Sequence, residues 1–259
     1  MTEKAPPRFS IVTVVRNDLP GLERTRASLA EQAFRGFEWI VIDGASTDAT
    51  RPAVQALLAA GTARGVSEPD GGIYDAMNKG LRLALGEHLL FLNAGDRLLA
   101  PDSLARATRA MTARGDPDIA FFGSLMAFGG RMVTRHVKPP SYVWHGQPGL
   151  HQATFVRRTL HLAYHFDPGF RVCGDYDALA RMVSAGARME SIAETIGINV
   201  FEAGAMSANK RLLIREAAAI QRRVLDLPMW KVALSVARRS LHSMLFKLLT
   251  AAPPRGMPR

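Results

Sequence analysis

Short unbroken apolar runs alternate, through the first half of the chain, with stretches whose apolar positions recur every three or four residues. The runs "FSIVTVV" (9–15), "FEWIVID" (37–43), "EHLLFL" (87–92) and "DIAFFGS" (118–124) read as strands, with a short "GVSE" (65–68) between the second and third. The stretches 18–33, 47–60, 73–85 and 101–114 read as helices. Strands alternating with helices predict βαβ units and an α/β fold built on a mostly parallel sheet flanked by helices. The continuous apolar character of "WIVI" and "LLFL" predicts strands covered on both faces.

Between 125 and 173 the pattern loosens: Pro139-Pro140, scattered histidines and glycine turns separate short apolar runs, which predicts long loops beside the sheet. "GDYDALARMVSAGA" (174–187) returns to helical spacing, and a β-like "RMESIAETIGINVF" follows. The division expected is a catalytic domain over 1–206, with a nucleotide-binding half at about 8–124 and an acceptor half at about 125–206, followed by a tail over 207–259.

The tail reads as helical from 207 to about 225 and again after Pro228. A helix over 230–249 aligns Trp230, Ala233, Leu234, Ala237, Leu241, Met244, Leu245 and Leu248 on one stripe, bordered by Lys231, Arg238 and His242. Charge sharpens this picture. Of the formal net charge of +10, the tail holds +9, with 11 Lys/Arg against Glu216 and Asp226, which leaves the first 206 residues near neutrality at +1. Nucleic acid is therefore not the expected partner, because its recognition needs a basic face on the folded domain. The helix over 228–250 predicts contact with an anionic membrane surface; the alternative is that its apolar stripe packs on the catalytic domain or a second subunit.

At 47% hydrophobic, 259 residues suffice for a full core. The lone Cys173 forms no internal disulfide, "MTEKAPPRFSIV" holds no apolar signal region, and no apolar run reaches the roughly 18 to 20 residues that span a bilayer. The expected location is cytoplasmic, peripheral on the inner face of the membrane.

In an open α/β sheet the ligand binds beyond the carboxyl ends of the strands. Polar clusters fall there repeatedly: "RND" after the first strand, "DGASTD" after the second, "EPDGG" after the third and "NAGD" after the fourth. "DGASTD" is either a ligand-approach loop or a plain capped βα turn. No GxGxxG and no GxxxxGK[ST] is present, so neither phosphate-binding fingerprint applies. "EPDGGIYDAMNKG" puts Asp75, Asn78 and Lys79 on one helix face, as a ligand site or as a solvated i,i+4 ion pair. His136, His145 and His151 lack the spacing of a zinc helix, and Cys173 reads as a small core residue.

Five ordered motifs resemble the family 2 glycosyltransferases of GT-A fold, in particular small bacterial members of polysaccharide and glycolipid assembly. They are Asp43-Gly-Ala-Ser-Thr-Asp48, Asp70-Gly-Gly-Ile-Tyr-Asp-Ala-Met-Asn-Lys-Gly80, Phe91 to Asp96, His151-Gln-Ala-Thr-Phe155 and Asp175-Tyr-Asp177, within residues 8 to 205. The resemblance implies an inverting transfer of a sugar from a nucleotide-diphosphate donor to a hydroxyl of a glycan or lipid-linked acceptor. It places Thr13, Arg16, Asn17, Asp43, Ser46, Asp70, Asn78, Lys79 and Asn93 around the donor. It places His151, Gln152 and Asp177 around the acceptor, and Asp175 as general base, with Gly174 standing where the family often has Glu. Such a base typically contributes about 10²- to 10⁴-fold. A divalent cation, Mg²⁺ or Mn²⁺, is implied at Asp96. Many members have two carboxylates in that loop, where this chain has Asn93 and Gly95, so the competing reading is that Asp96 only caps a turn. A non-catalytic nucleotide-sugar binder with a degenerate metal site is the alternative function.

Overall fold

The computed structural model describes residues 6–128, 131–200 and 209–251. Their strands form one sheet: β1 (Phe9–Val15), β2 (Phe37–Asp43), β3 (Arg64–Ser67), β4 (His88–Phe91), β5 (Arg97–Leu98), β6 (Ile119–Phe128), β7 (Arg131–Arg135), β8 (Thr154–Arg157) and β9 (Met189–Val200). The helices are α1 (Leu19–Ala30), α2 (Thr50–Ala59), α3 (Ile73–Leu83), α4 (Ser103–Thr112), α5 (Arg158–Ala163), α6 (Gly174–Ser184), α7 (Lys210–Arg223) and α8 (Met229–Ala251).

The sheet order is β3-β2-β1-β4-β8-β6-β9-β5, with β7 paired to β6. β3, β2, β1 and β4 are mutually parallel, as the βαβ pattern requires. β1 is buried along its whole length, which explains its unbroken apolar run. One face of the sheet packs α1, α2 and α4 through Leu22, Leu29, Val54, Leu104 and Met111. The other packs α3 and α6 through Met77, Leu81, Leu179 and Met182. Gly80 lets α3 sit against β1, because a Cβ there would collide with the Val12 side chain.

The stretch 125–173 is more ordered than its sequence suggests. It holds β7, β8 and α5, and β8 lies inside the sheet, antiparallel between β4 and β6 with Phe155 opposite both Leu90 and Ala120. Four residues of "TFVR" carry too little periodicity to announce a strand; partners distant in sequence make it one. Strands from the two expected halves are thus interleaved. The antiparallel direction has a consequence for the site: β8 begins where β4 ends, so residues 151–153 stand beside the "NAGD" loop.

The tail packs on this body. Ala217 and Ile220 of α7 form a small core with Cys173, Tyr176 and Ala180. α8 turns Val232 and Ser235 inward, Ser235 sharing hydrogen bonds of 2.8 Å with His145 and with Gln221. The expected apolar stripe points the other way: Trp230 is 65% exposed, Leu241 53% and Leu234 52%. Packing of that stripe on the catalytic domain is therefore overturned for these residues. Met244, Leu245, Leu248 and His242 lie outside the described residues for side-chain placement.

Candidate active site

The β1 and β2 loops are knitted together at their carboxyl ends. Asp43 is fully buried and accepts hydrogen bonds from the Ser46 N–H (3.1 Å), the Ser46 hydroxyl and the Ser67 hydroxyl (2.6 Å). The Asn17 N–H donates to Ser46 Oγ (2.8 Å), and Asn17 Oδ1 accepts from the Thr47 N–H (2.8 Å). Asn17 takes a φ of 52°, a left-handed conformation that Asn tolerates. Thr13 is fully buried; it donates to the Leu92 carbonyl at 2.8 Å and accepts from the Trp39 indole at 2.9 Å. Thr13, Asp43, Ser46 and Asn17 thus shape the loops. Arg16 and Asp70 close over Gly44, where any Cβ would strike the Asp70 carboxylate.

At the start of α3, Asp70 Oδ1 accepts from the Gly72 N–H and Asp75 Oδ2 from the Gly71 N–H, both at 2.9 Å. Lys79 bonds the Pro69 carbonyl (2.6 Å) and pairs with Glu68 (2.8 Å), so the i,i+4 pair with Asp75 considered from spacing is not what it forms. Asn78, expected around the donor, is buried with both ends of its amide engaged. Its amide nitrogen donates to the Phe166 carbonyl (2.8 Å) and its oxygen accepts from the Phe166 N–H (3.0 Å).

Gly95 (φ 94°) turns the "NAGD" loop. Asp96 is buried, and its Oδ1 accepts from Asn199 Nδ2 (2.9 Å) and the Val200 N–H (3.1 Å), tying the loop to β9. Burial pushes its carboxyl up to about 6, against the opposing charge of His151 and its hydrogen bonds. Asn93 Oδ1 is buried and finds no hydrogen-bond partner among the described residues. No three His, Cys, Asp or Glu side chains group to hold a metal ion among the described residues. One carboxylate with one unpartnered amide oxygen does fit a Mg²⁺-type ion whose other ligands are phosphate oxygens and water.

His151 bridges this loop to α6. Its Nε2 lies 3.3 Å from Asn93 Nδ2 and its Nδ1 3.3 Å from Asp175 Oδ2. Burial alone would raise the Asp175 carboxyl, but the His151 bond and charge, with Gln147 and the Tyr176 N–H, hold it below the usual range. Burial would lower His151, but Asp175 and then Asp96 raise it. A cavity of about 40 Å³ opens beside the pair toward Phe91, Phe166 and Leu179.

Other expected acceptor residues turn inward. Asp177 is buried and paired with Arg181 at 2.8 Å, and Gln152 is buried beside Asp96, to which it donates. His145 is spent on Ser235, and His136 is exposed. Cys173 is buried, and burial followed by the Asp175 and Glu216 charges pushes its thiol up to about 12, which excludes a resting thiolate. Sequence reasoning missed Gln147, Asn199 and Glu216, which carry no motif and reach the site only through folding.

Residues 10–172 match the family described as Glycosyl transferase family 2. The chain is 31% identical over 183 residues to a PGL/p-HBAD biosynthesis glycosyltransferase of Mycobacterium bovis, covering 70% of this chain and 67% of that one. It is 46% identical over 113 residues to an uncharacterized glycosyltransferase of Mycobacterium tuberculosis, a match spanning only 42% of each chain. Among solved structures it is similar to residues 1–349 of S. aureus TarS in complex with UDP-GlcNAc (TM-score 0.68, 18% identity, 90% of this chain and 71% of that one). It is also similar to the mannosyltransferase PcManGT of Pyrobaculum calidifontis in complex with GDP-Man and Mn²⁺ (TM-score 0.65, 17% identity, 97% and 78%). The structural likenesses show the GT-A fold. On the sequence matches, the chain belongs to glycosyltransferase family 2.

Proposed function

We propose that this glycosyltransferase works with inversion, moving a sugar from a nucleotide-diphosphate donor to a hydroxyl of a glycan or lipid-linked acceptor in cell-surface polysaccharide or glycolipid assembly. The observation that carries the reading is the line Asn93, His151, Asp175, which joins the loop at the donor end of β4 to a carboxylate at the start of α6. Asp175 takes the proton of the acceptor hydroxyl as that oxygen attacks the anomeric carbon, and the bond from that carbon to the diphosphate breaks on the opposite side. A displacement from the opposite face inverts the centre. On this reading Lys79, released from Glu68, and Arg16 meet the diphosphate charge, with Asp70 at the ribose and Asp43 shaping the base pocket. His151 faces the acceptor side as Asp175's partner. Asp96 and Asn93 would hold a Mg²⁺ or Mn²⁺ ion; when bound, it neutralises charge on the departing diphosphate.

No helix among the described residues is long and apolar enough to cross a membrane. We place the enzyme at the inner face of the cytoplasmic membrane through the outward stripe of α8, because large apolar side chains there are flanked by Lys231 and Arg238.

Titration calorimetry with UDP, GDP and dTDP, each with and without Mg²⁺ or Mn²⁺, tests the donor site. One nucleotide is expected to bind with metal dependence, and Asp96→Ala is expected to remove that dependence. Failure of all three to bind contradicts the donor assignment.

A further inference from the structure

We infer that Glu216, which the sequence places in the tail, is a positioning residue for the transfer reaction: its carboxylate fixes the backbone that carries Asp175. The inference rests on the reading of Asp175 as base.

Three consecutive N–H groups converge on this one side chain. Glu216 Oε1 accepts from Arg171 (3.0 Å), and Oε2 accepts from Val172 (2.9 Å) and Cys173 (2.8 Å). Glu216 is only 9% exposed, and its bond to Cys173 is buried while those to Arg171 and Val172 are part-buried. Cys173 is the N-cap of α6, and Asp175 follows it by two residues. The N-cap side chain makes no capping bond, and α7 supplies from outside the helix an acceptor for the Cys173 N–H and for the two N–H groups that precede it.

The opposite side of the same strap is held by α3. The Tyr74 hydroxyl donates to the Val172 carbonyl at 2.9 Å. Its ring lies so close to Gly174 that a Cβ there would sit 2.7 to 2.8 Å from three ring carbons. That contact explains why glycine precedes the base in this chain. One turn further along α3, Asn78 fastens Phe166 through both N–H and carbonyl. The strap from Phe166 to Gly174 is thus clamped between a helix of the donor half and a helix of the tail, and Asp175 leaves the clamp facing His151. Removing the carboxylate leaves three donors without their acceptor, the buried one of Cys173 and the part-buried ones of Arg171 and Val172, and the strap must shift to find others.

The test compares Glu216→Gln and Glu216→Ala with wild type in full-length protein. It measures transfer from radiolabelled UDP-, GDP- and dTDP-sugars to a total bacterial lipid extract, and nucleotide binding by calorimetry. Glu216→Ala is expected to lower kcat by about 10²-fold, with the nucleotide Kd unchanged, since a small misplacement of a catalytic group has that effect. Glu216→Gln keeps the shape and one carbonyl oxygen, so it is expected to fall between the two. The acid limb of the kcat profile is expected to move up toward the ordinary carboxylate range as Asp175 parts from His151. Glu216→Gln and Glu216→Ala with wild-type kcat and pH profile overturn the inference, even where the thermal midpoint falls, provided Asp175→Asn is inactive. An active Asp175→Asn overturns the parent reading instead.

Discussion

Asp96 sits in an environment far from what an exposed loop carboxylate would meet. Burial pushes its carboxyl up from the ordinary 3.8 to about 6, so the folded state holds the proton more tightly than the unfolded state does. This group therefore favours folding most below pH 4, and that contribution is lost as pH rises through 6. Asp96→Asn keeps an oxygen for Asn199 and Val200, and the Gln152 amide, once turned over, presents its unpartnered Oε1 to the new N–H. In chemical denaturation at pH 8 the variant is expected to exceed wild type by on the order of 1 to 3 kcal/mol. Wild type proving the more stable at pH 8 would show that the ionised carboxylate is needed there. From sequence, Asp96 was legible as a special residue, because a lone carboxylate closes an apolar run. That Asn199 and Val200 hold it was not, since β9 reaches it across more than a hundred residues. Asp43 likewise stood out at the end of a strand run, and the family resemblance pointed to Thr13 and Ser46, but nothing local reveals that Asp43 and Ser46 bond each other or that Thr13 is held by Leu92 and Trp39.

Among the elements, the early βαβ pattern was legible because both periodicities are local and strong. β8 was not, because a four-residue strand takes its identity from β4 and β6. α8 shows the opposite case. Its helix and its apolar stripe were readable, yet the face it buries carries Ser235, and only the fold shows that Trp230 and Leu234 remain outside. If that stripe meets lipid, Trp230→Ser/Leu234→Ser will float less with phosphatidylglycerol vesicles and retain nucleotide affinity. Equal flotation of variant and wild type would assign the stripe to a protein partner. Wild-type binding that is as strong to neutral phosphatidylcholine would remove the basic flank from the account.

On the scale of the whole molecule, the sequence suggested a catalytic domain in two halves followed by a basic amphipathic helical tail. The folded chain ties these together: β8 of the second half lies between β4 and β6, β9 closes against β5, and α7 reaches the start of α6. Asp175, the proposed base, therefore depends on contacts from segments far apart in the chain, the tail among them. The most direct test of the account is Asp175→Asn, assayed for sugar transfer to lipid extract and for nucleotide binding in the same preparation. The account predicts unchanged nucleotide affinity with transfer reduced by at least about 10²-fold. Transfer at the wild-type rate would contradict it, since no proton acceptor would then be required at that position.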